Sequence, residues 1–135
     1  MTKKVCCTVL AMAMLFVSPL FAAEKKLGKG VSVKTATPVK ELLTQPEKYL
    51  GKVVMVEGEM MKVCQDAGCW TLVKDASYAD PILIKVPDGV IVFPKDGAGR
   101  KIAAQGTLVK ISQGAQTESG SLSPYGIAGS GAILK

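Results

Sequence analysis

KVVMVEGEMMKVCQDAGCWTLV, residues 52–73, is the stretch on which the fold turns. Its β-branched and apolar residues fall in two runs, Val53 to Cys64 and Cys69 to Val73. Between them Gln65-Asp66-Ala67-Gly68 has the composition of a turn joining two antiparallel strands. Gly58 interrupts the first run, and a glycine inside a strand marks a bulge or a sharp bend. A strand bent at Gly58 can serve two sheets at once.

Working outward, the same strand grammar repeats. Pro81 precedes Ile82-Leu83-Ile84-Lys85-Val86, and Pro87-Asp88-Gly89 ends it. An irregular connection over 90–99 (VIVFPKDGAG) leads to a strand from Lys101 to Ile111. A polar Ser/Gln/Gly loop over 112–124 precedes a glycine-spotted strand from Tyr125 to Leu134. Upstream, Thr37-Pro38 reads as a helix start, with Thr37 as N-cap and Pro38 in the first turn. Val39, Leu42 and Leu43 then share one face until Pro46 stops the helix. Five short strands with a bent first one predict a mainly β fold, a small five-stranded OB-like barrel with a short N-terminal helix. An OB barrel ordinarily carries its helix between the third and fourth strands. Here that connection is short and marked by Pro and Gly, and the helix comes first. A plain β-sandwich is the alternative.

The amino terminus reads as an export signal. Lys3 and Lys4 precede an apolar stretch from Val5 to Val17, Pro19 breaks it, and Leu20-Phe21-Ala22-Ala23 offers cleavage after Ala22 or Ala23. The apolar run is too short for a permanent membrane span. Residues 1–23 are therefore expected to leave, 24–36 (EKKLGKGVSVKTA) to form a flexible lead-in, and 37–135 to make a single domain. An exported chain with such a signal is expected in the bacterial periplasm, with no membrane span after cleavage. Losing Lys3 and Lys4 leaves 15 basic against 11 acidic residues, a net charge of +4. The lysines are scattered and lack the basic stripe with interleaved aromatics of a nucleic-acid binder, so no nucleic-acid partner is expected.

Cys6 and Cys7 lie before the apolar core of the signal and depart with it, leaving Cys64 and Cys69. The chain has no histidine, which excludes His-based general base catalysis, Cys-His zinc sites and histidine-ligated haem. Glu57 and Glu59 share a strand face, which reads as a solvated surface; Asp66, Asp75, Asp80 and Asp88 fall at turns. The glycines of GAGRK (97–101) offer backbone amides beside Arg100 and Lys101, which a tight turn explains equally well. No catalytic residue and no cofactor-binding motif can be named.

The run PEKYLGKVVMVEGEMMKVCQDAGCW resembles a family of small exported OB-fold proteins of unknown function. Its members carry a V-C-x4-C-W element after a Y-x-G-K-x-V-x-V-x-G strand. The match covers about residues 38–111 and is specific at Gly51, Gly58, Cys64, Gly68, Cys69 and Trp70. Some relatives are linked to periplasmic nitrite-reductase and cytochrome systems, which implies a periplasmic protein as partner. A looser similarity is to OB-fold periplasmic copper chaperones, which hold Cu(I) with thioether and imidazole beneath a Trp. This chain lacks the imidazole.

A four-residue turn sets Cys64 and Cys69 opposite each other, with Cβ atoms about 4.5–5.5 Å apart. A disulfide needs about 3.5–4.5 Å, so it is within reach. Two thiolates can instead clasp a soft ion such as Cu(I). Alternation along the strands puts Met60, Lys62 and Cys64 on one face; with Trp70 and Leu72 packed inward, Cys69 joins them outside, beside the Lys62 ammonium. Trp70 then serves as a core anchor, and Gly58 and Gly68 as bend and turn. The chain accordingly reads as a non-enzymatic periplasmic accessory or binding protein, with Cys64/Cys69 as a structural disulfide or a soft-metal site. The alternative is a thiol–disulfide redox protein acting on partners of a respiratory or cytochrome system. The C-x4-C spacing counts against it, since dedicated exchange motifs are C-x-x-C.

Overall fold

The computed structural model describes residues 24–87, 89, 91–111 and 123–135. The segment read as a signal, with Cys6 and Cys7, lies outside these residues, as does 112–122 of the polar loop. In chain order the elements are β1 (Lys25–Gly28), α1 (Val39–Thr44), a 3₁₀ turn (Pro46–Lys48), β2 (Val53–Val63), β3 (Trp70–Lys74), β4 (Ile82–Lys85), β5 (Lys101–Lys110) and β6 (Tyr125–Leu134).

β2 pairs antiparallel with β3 and β3 with β4, β4 runs parallel to β6, β6 pairs antiparallel with β5, and β5 returns antiparallel to β2. The ring closes, so the fold is the five-stranded OB-like barrel expected from the strand pattern and not an open sandwich. Closure depends on β2, which pairs with β5 through residues 53–59 and with β3 through 59–63. Gly58 sits at this hand-over. A Cβ there would come within 2.3 Å of the Lys74 carbonyl oxygen, so only glycine lets the two backbones approach so closely. The irregularity in the ladder is not at Gly58, however. It falls between Met60 and Lys62, where Met61 is the extra residue.

Inside the ring, Val54, Val56, Met60, Val63, Val73, Ile82, Ile84, Ile102, Ala104, Leu108, Ile127 and Leu134 form one continuous core, joined by Phe93 from the β4–β5 connection. Val39 and Leu42 of α1 belong to the same core, which is how a six-residue helix gains the partner surface it needs. Its start differs from expectation. Pro38, not Thr37, is the N-cap residue, and it offers no side-chain acceptor. Asp75, beyond β3, substitutes: its Oδ2 accepts the Val39 N–H at 2.9 Å, and Ser77 Oγ accepts the Lys40 N–H at 3.2 Å.

Residues 25–28, expected in a lead-in without regular structure, form an edge strand. β4 covers only Gly126–Ala128 on its side of β6, and β1 takes up Gly131–Leu134 on the same side. An open strand edge is thereby paired. The chain then crosses β5, where the buried Gln105 Oε1 accepts the N–H groups of Ser32 and Val33, each at 2.8 Å, and reaches β2 through Thr37 N–H to Met55 O at 2.8 Å. Met55 and Gln105 are thus buried on the outside of the barrel, beneath this strap. Among the described residues no helix is long and apolar enough to cross a membrane.

Candidate functional site: the Cys64–Cys69 corner

The turn between β2 and β3 brings the two cysteines near each other, but the register that pairs Val63 with Thr71 sets Trp70, and not Cys69, opposite Cys64. Cys64 N–H donates to Trp70 O at 3.0 Å, closing the hairpin around the four turn residues. The sulfurs are 4.0 Å apart and are not joined by a disulfide in this structure. Gly68 has φ +63°, and a Cβ on it would stand 2.6 Å from the Phe93 carbonyl oxygen. The turn is therefore packed directly on the β4–β5 connection. Phe93 N–H donates to Gly68 O and Val86 N–H to Cys69 O, both at 2.9 Å. Gln65 Nε2 bridges the carbonyls of Val63 and Lys95, each at 3.1 Å.

β2 departs from simple alternation at Met61, and β3 alternates in the opposite phase to the one expected. The extra residue inverts the parity beyond it. Met60 is fully buried in the core, Met61 is 48% exposed, and Val63 is again inside. On β3 it is Thr71 and Val73 that face the core, so Trp70 lies on the outward side and is half-buried, not a core anchor. The Thr71 hydroxyl donates to the Lys62 carbonyl at 2.9 Å, satisfying an oxygen that the irregular ladder would otherwise leave inside the protein. Cys64, next after the inward Val63, is on the outward side of β2 and is nonetheless covered, at only 8% exposure, whereas Cys69 is half-buried.

The turn also acts electrostatically on Cys64. The backbone N–H groups of Ala67 and Asp66, and more weakly those of Cys69 and Gly68, face the Cys64 sulfur and hold its thiol below the ordinary thiol range, against the upward pull of burial. A turn folded around a sulfur presents its amide dipoles as a helix start would, favouring the anion. The sequence points to the Lys62 ammonium for this role; at Cys64 the amides of the turn act in that sense. Such groups carry no side-chain signal, and only Gly68 in the motif hints at them.

As a metal holder the corner offers two donors. Among the described residues no group of three or more His, Cys, Asp or Glu side chains converges. Two metal–thiolate bonds of about 2.3 Å span about 3.8 Å at a tetrahedral angle and about 4.6 Å in line. The 4.0 Å between the sulfurs falls within that interval, so the pair fits a soft ion of low coordination number without rearrangement. A disulfide, with S–S of about 2.0 Å, requires the sulfurs to close by about 2 Å, within the reach of a χ1 adjustment.

Comparisons with known proteins add the fold and little more. No family model matches the chain, and no curated protein matches it by sequence. Among solved structures it is similar to a Leishmania major protein described as an aspartyl-tRNA synthetase, with 17% identity and a TM-score of 0.57 over 80% of this chain. The chain spans only 22% of that protein's length. It also aligns with the hypothetical protein ygiW of Escherichia coli, at 17% identity and a TM-score of 0.45, over 80% of this chain and 98% of that one. The class defined by fold and site is a small OB-like barrel with a two-cysteine turn.

Proposed function

We propose that this is an exported periplasmic protein of OB-like fold that works by binding, as a non-enzymatic accessory to another periplasmic protein, with the Cys64–Cys69 corner as its working edge. In the oxidising periplasm the pair rests as a disulfide. When kept reduced it clasps Cu(I) or a similar soft ion. The observation that carries this reading is the placement of two sulfurs 4.0 Å apart across one turn, in a chain with no histidine. The disulfide closes a short ring, and by the loop-entropy relation it adds about 2 kcal/mol. That is useful to a domain of this size without deciding whether it folds.

The test is in two stages. Thiol titration of the full chain, exported and purified without reductant, should find fewer than 0.2 reactive thiols per molecule after denaturation, about the background of such assays. Two per molecule sinks the resting disulfide. After reduction, anaerobic Cu(I) titration should show one ion per chain in the wild type and at least tenfold weaker binding in Cys64→Ser. Equal binding by both removes the metal site.

A further inference from the structure

Cys64 and Cys69 share a turn but not an environment. Cys64 is buried, at 8% exposure, whereas Cys69 is only partly covered. We infer that the corner is a directional thiol–disulfide exchange site, in which an incoming thiolate attacks Cys69 Sγ and Cys64 Sγ is the leaving group. The inference rests on the resting disulfide proposed above and assigns its chemistry.

Exchange is an in-line displacement at sulfur, and its rate depends on which sulfur can be reached and on how well the other leaves as an anion. Access favours attack at Cys69. Attack there makes Cys64 Sγ the leaving group, because the bond that breaks is the one between the two cysteines. The partner is a dithiol, either a protein carrying two neighbouring cysteines or a small reductant of the same class. Its first thiolate forms a bond to Cys69 Sγ as the Cys64–Cys69 bond breaks, and the electron pair departs on Cys64 Sγ among the amides of 66–69. Its second thiol, deprotonated, then attacks the partner sulfur of the mixed disulfide. Cys69 leaves as a thiolate and takes up a proton. The partner is oxidised by two electrons to a disulfide, and the corner is reduced to two thiols. The reduced corner is the form that can hold a soft ion, so exchange would gate metal binding.

The direction is tested on the wild-type chain. The oxidised protein is mixed briefly with glutathione at neutral pH, acid-quenched, alkylated and digested, and fragmentation of the peptide 63–74 locates the glutathione. At least tenfold more adduct on Cys69 than on Cys64 is expected. Equal amounts, or an excess on Cys64, overturn the direction while leaving the resting disulfide intact. A chain that emerges from aerobic purification with two thiols instead defeats the earlier reading and this one with it.

Discussion

The two ends of the barrel are covered by segments that are not strands, and they are fastened in different ways. At the end of β3, α1 is held by side chains: Asp75 and Ser77 accept the first amides of the helix. At the start of β3, the 91–100 segment is held mainly by backbone. Phe93 N–H reaches Gly68 O, Gly99 N–H reaches Met60 O at 2.7 Å, and Met60 N–H reaches Arg100 O at 2.9 Å. The largest apolar side chain that each closure inserts is Leu42 at the helical end and Phe93 at the cysteine end, both buried. A side-chain fastening depends on charge and therefore on pH. A backbone fastening depends on shape, and this is the one placed beneath the thiol pair, whose separation must be kept.

The largest effect should come from removing the plugs. Phe93→Ala and Leu42→Ala delete well-packed side chains, and each is expected to cost about 3–5 and about 2–5 kcal/mol respectively. The sharper outcome lies at the cysteines. Phe93→Ala should raise the alkylation rate of reduced Cys64 severalfold under native conditions, because its support is the segment that packs on the turn. Leu42→Ala, at comparable stability, should leave that rate within about twofold. If both plugs change Cys64 equally, the ends are not independent.

A smaller effect separates space from backbone conformation. Gly68 and Gly51 both have positive φ, +63° and +76°, but Gly51 has nothing within 4 Å of the Cβ position. Gly51→Ala should therefore cost only the left-handed penalty, about 1 kcal/mol. Gly68→Ala adds the collision with the Phe93 carbonyl and should cost about 2–3 kcal/mol. Urea denaturation of the two variants reads the difference directly. Equal costs would mean that the cysteine turn can yield, and that its shape is not what holds the sulfurs.

Much of this architecture is legible in the residues. Strand parity, turn composition and the bend at Gly58 lead to the barrel and to Cys64 lying near Cys69 at one turn. What escapes is whatever depends on a partner distant in sequence. Met61 becomes an extra residue only because of how β3 docks on β2, and nothing in the run EMMKV announces it. That one residue brings Val63 and not Lys62 into the core and leaves Cys64 outward but covered, while Val73 opposite the buried Met60 turns Trp70 outward, against the core position expected of it. The strand Lys25–Gly28 exists because β4 stops short along β6, a fact about two other elements. The cap of α1 is hidden for the same reason. Thr37-Pro38 has the local composition of a cap, while the acceptor that serves lies 36 residues beyond Val39, whose N–H it takes.

That distant acceptor gives the smallest effect and the clearest contrast between the ends. Burial alone would raise the Asp75 carboxyl, but hydrogen bonds from Ser77 Oγ, Val39 N–H, Ser77 N–H and Tyr78 N–H outweigh it and hold the pKa below the ordinary carboxylate value. Asp75→Ala should cost about 1 kcal/mol at neutral pH, the usual worth of a helix cap. The sign of the pH dependence follows from the depressed pKa. The carboxylate stabilises the folded chain fully above its unfolded value of about 3.9, and this stability is lost as pH falls through the folded value. Denaturant unfolding at a series of pH values should therefore show the gap between wild type and Asp75→Ala narrowing below about pH 4. The gap should be constant from pH 5 to neutrality, and Cys64 alkylation should be unchanged in the variant. A gap that persists at low pH would mean that Asp75 holds α1 by packing and not by charge. The two ends would then be fastened in the same way.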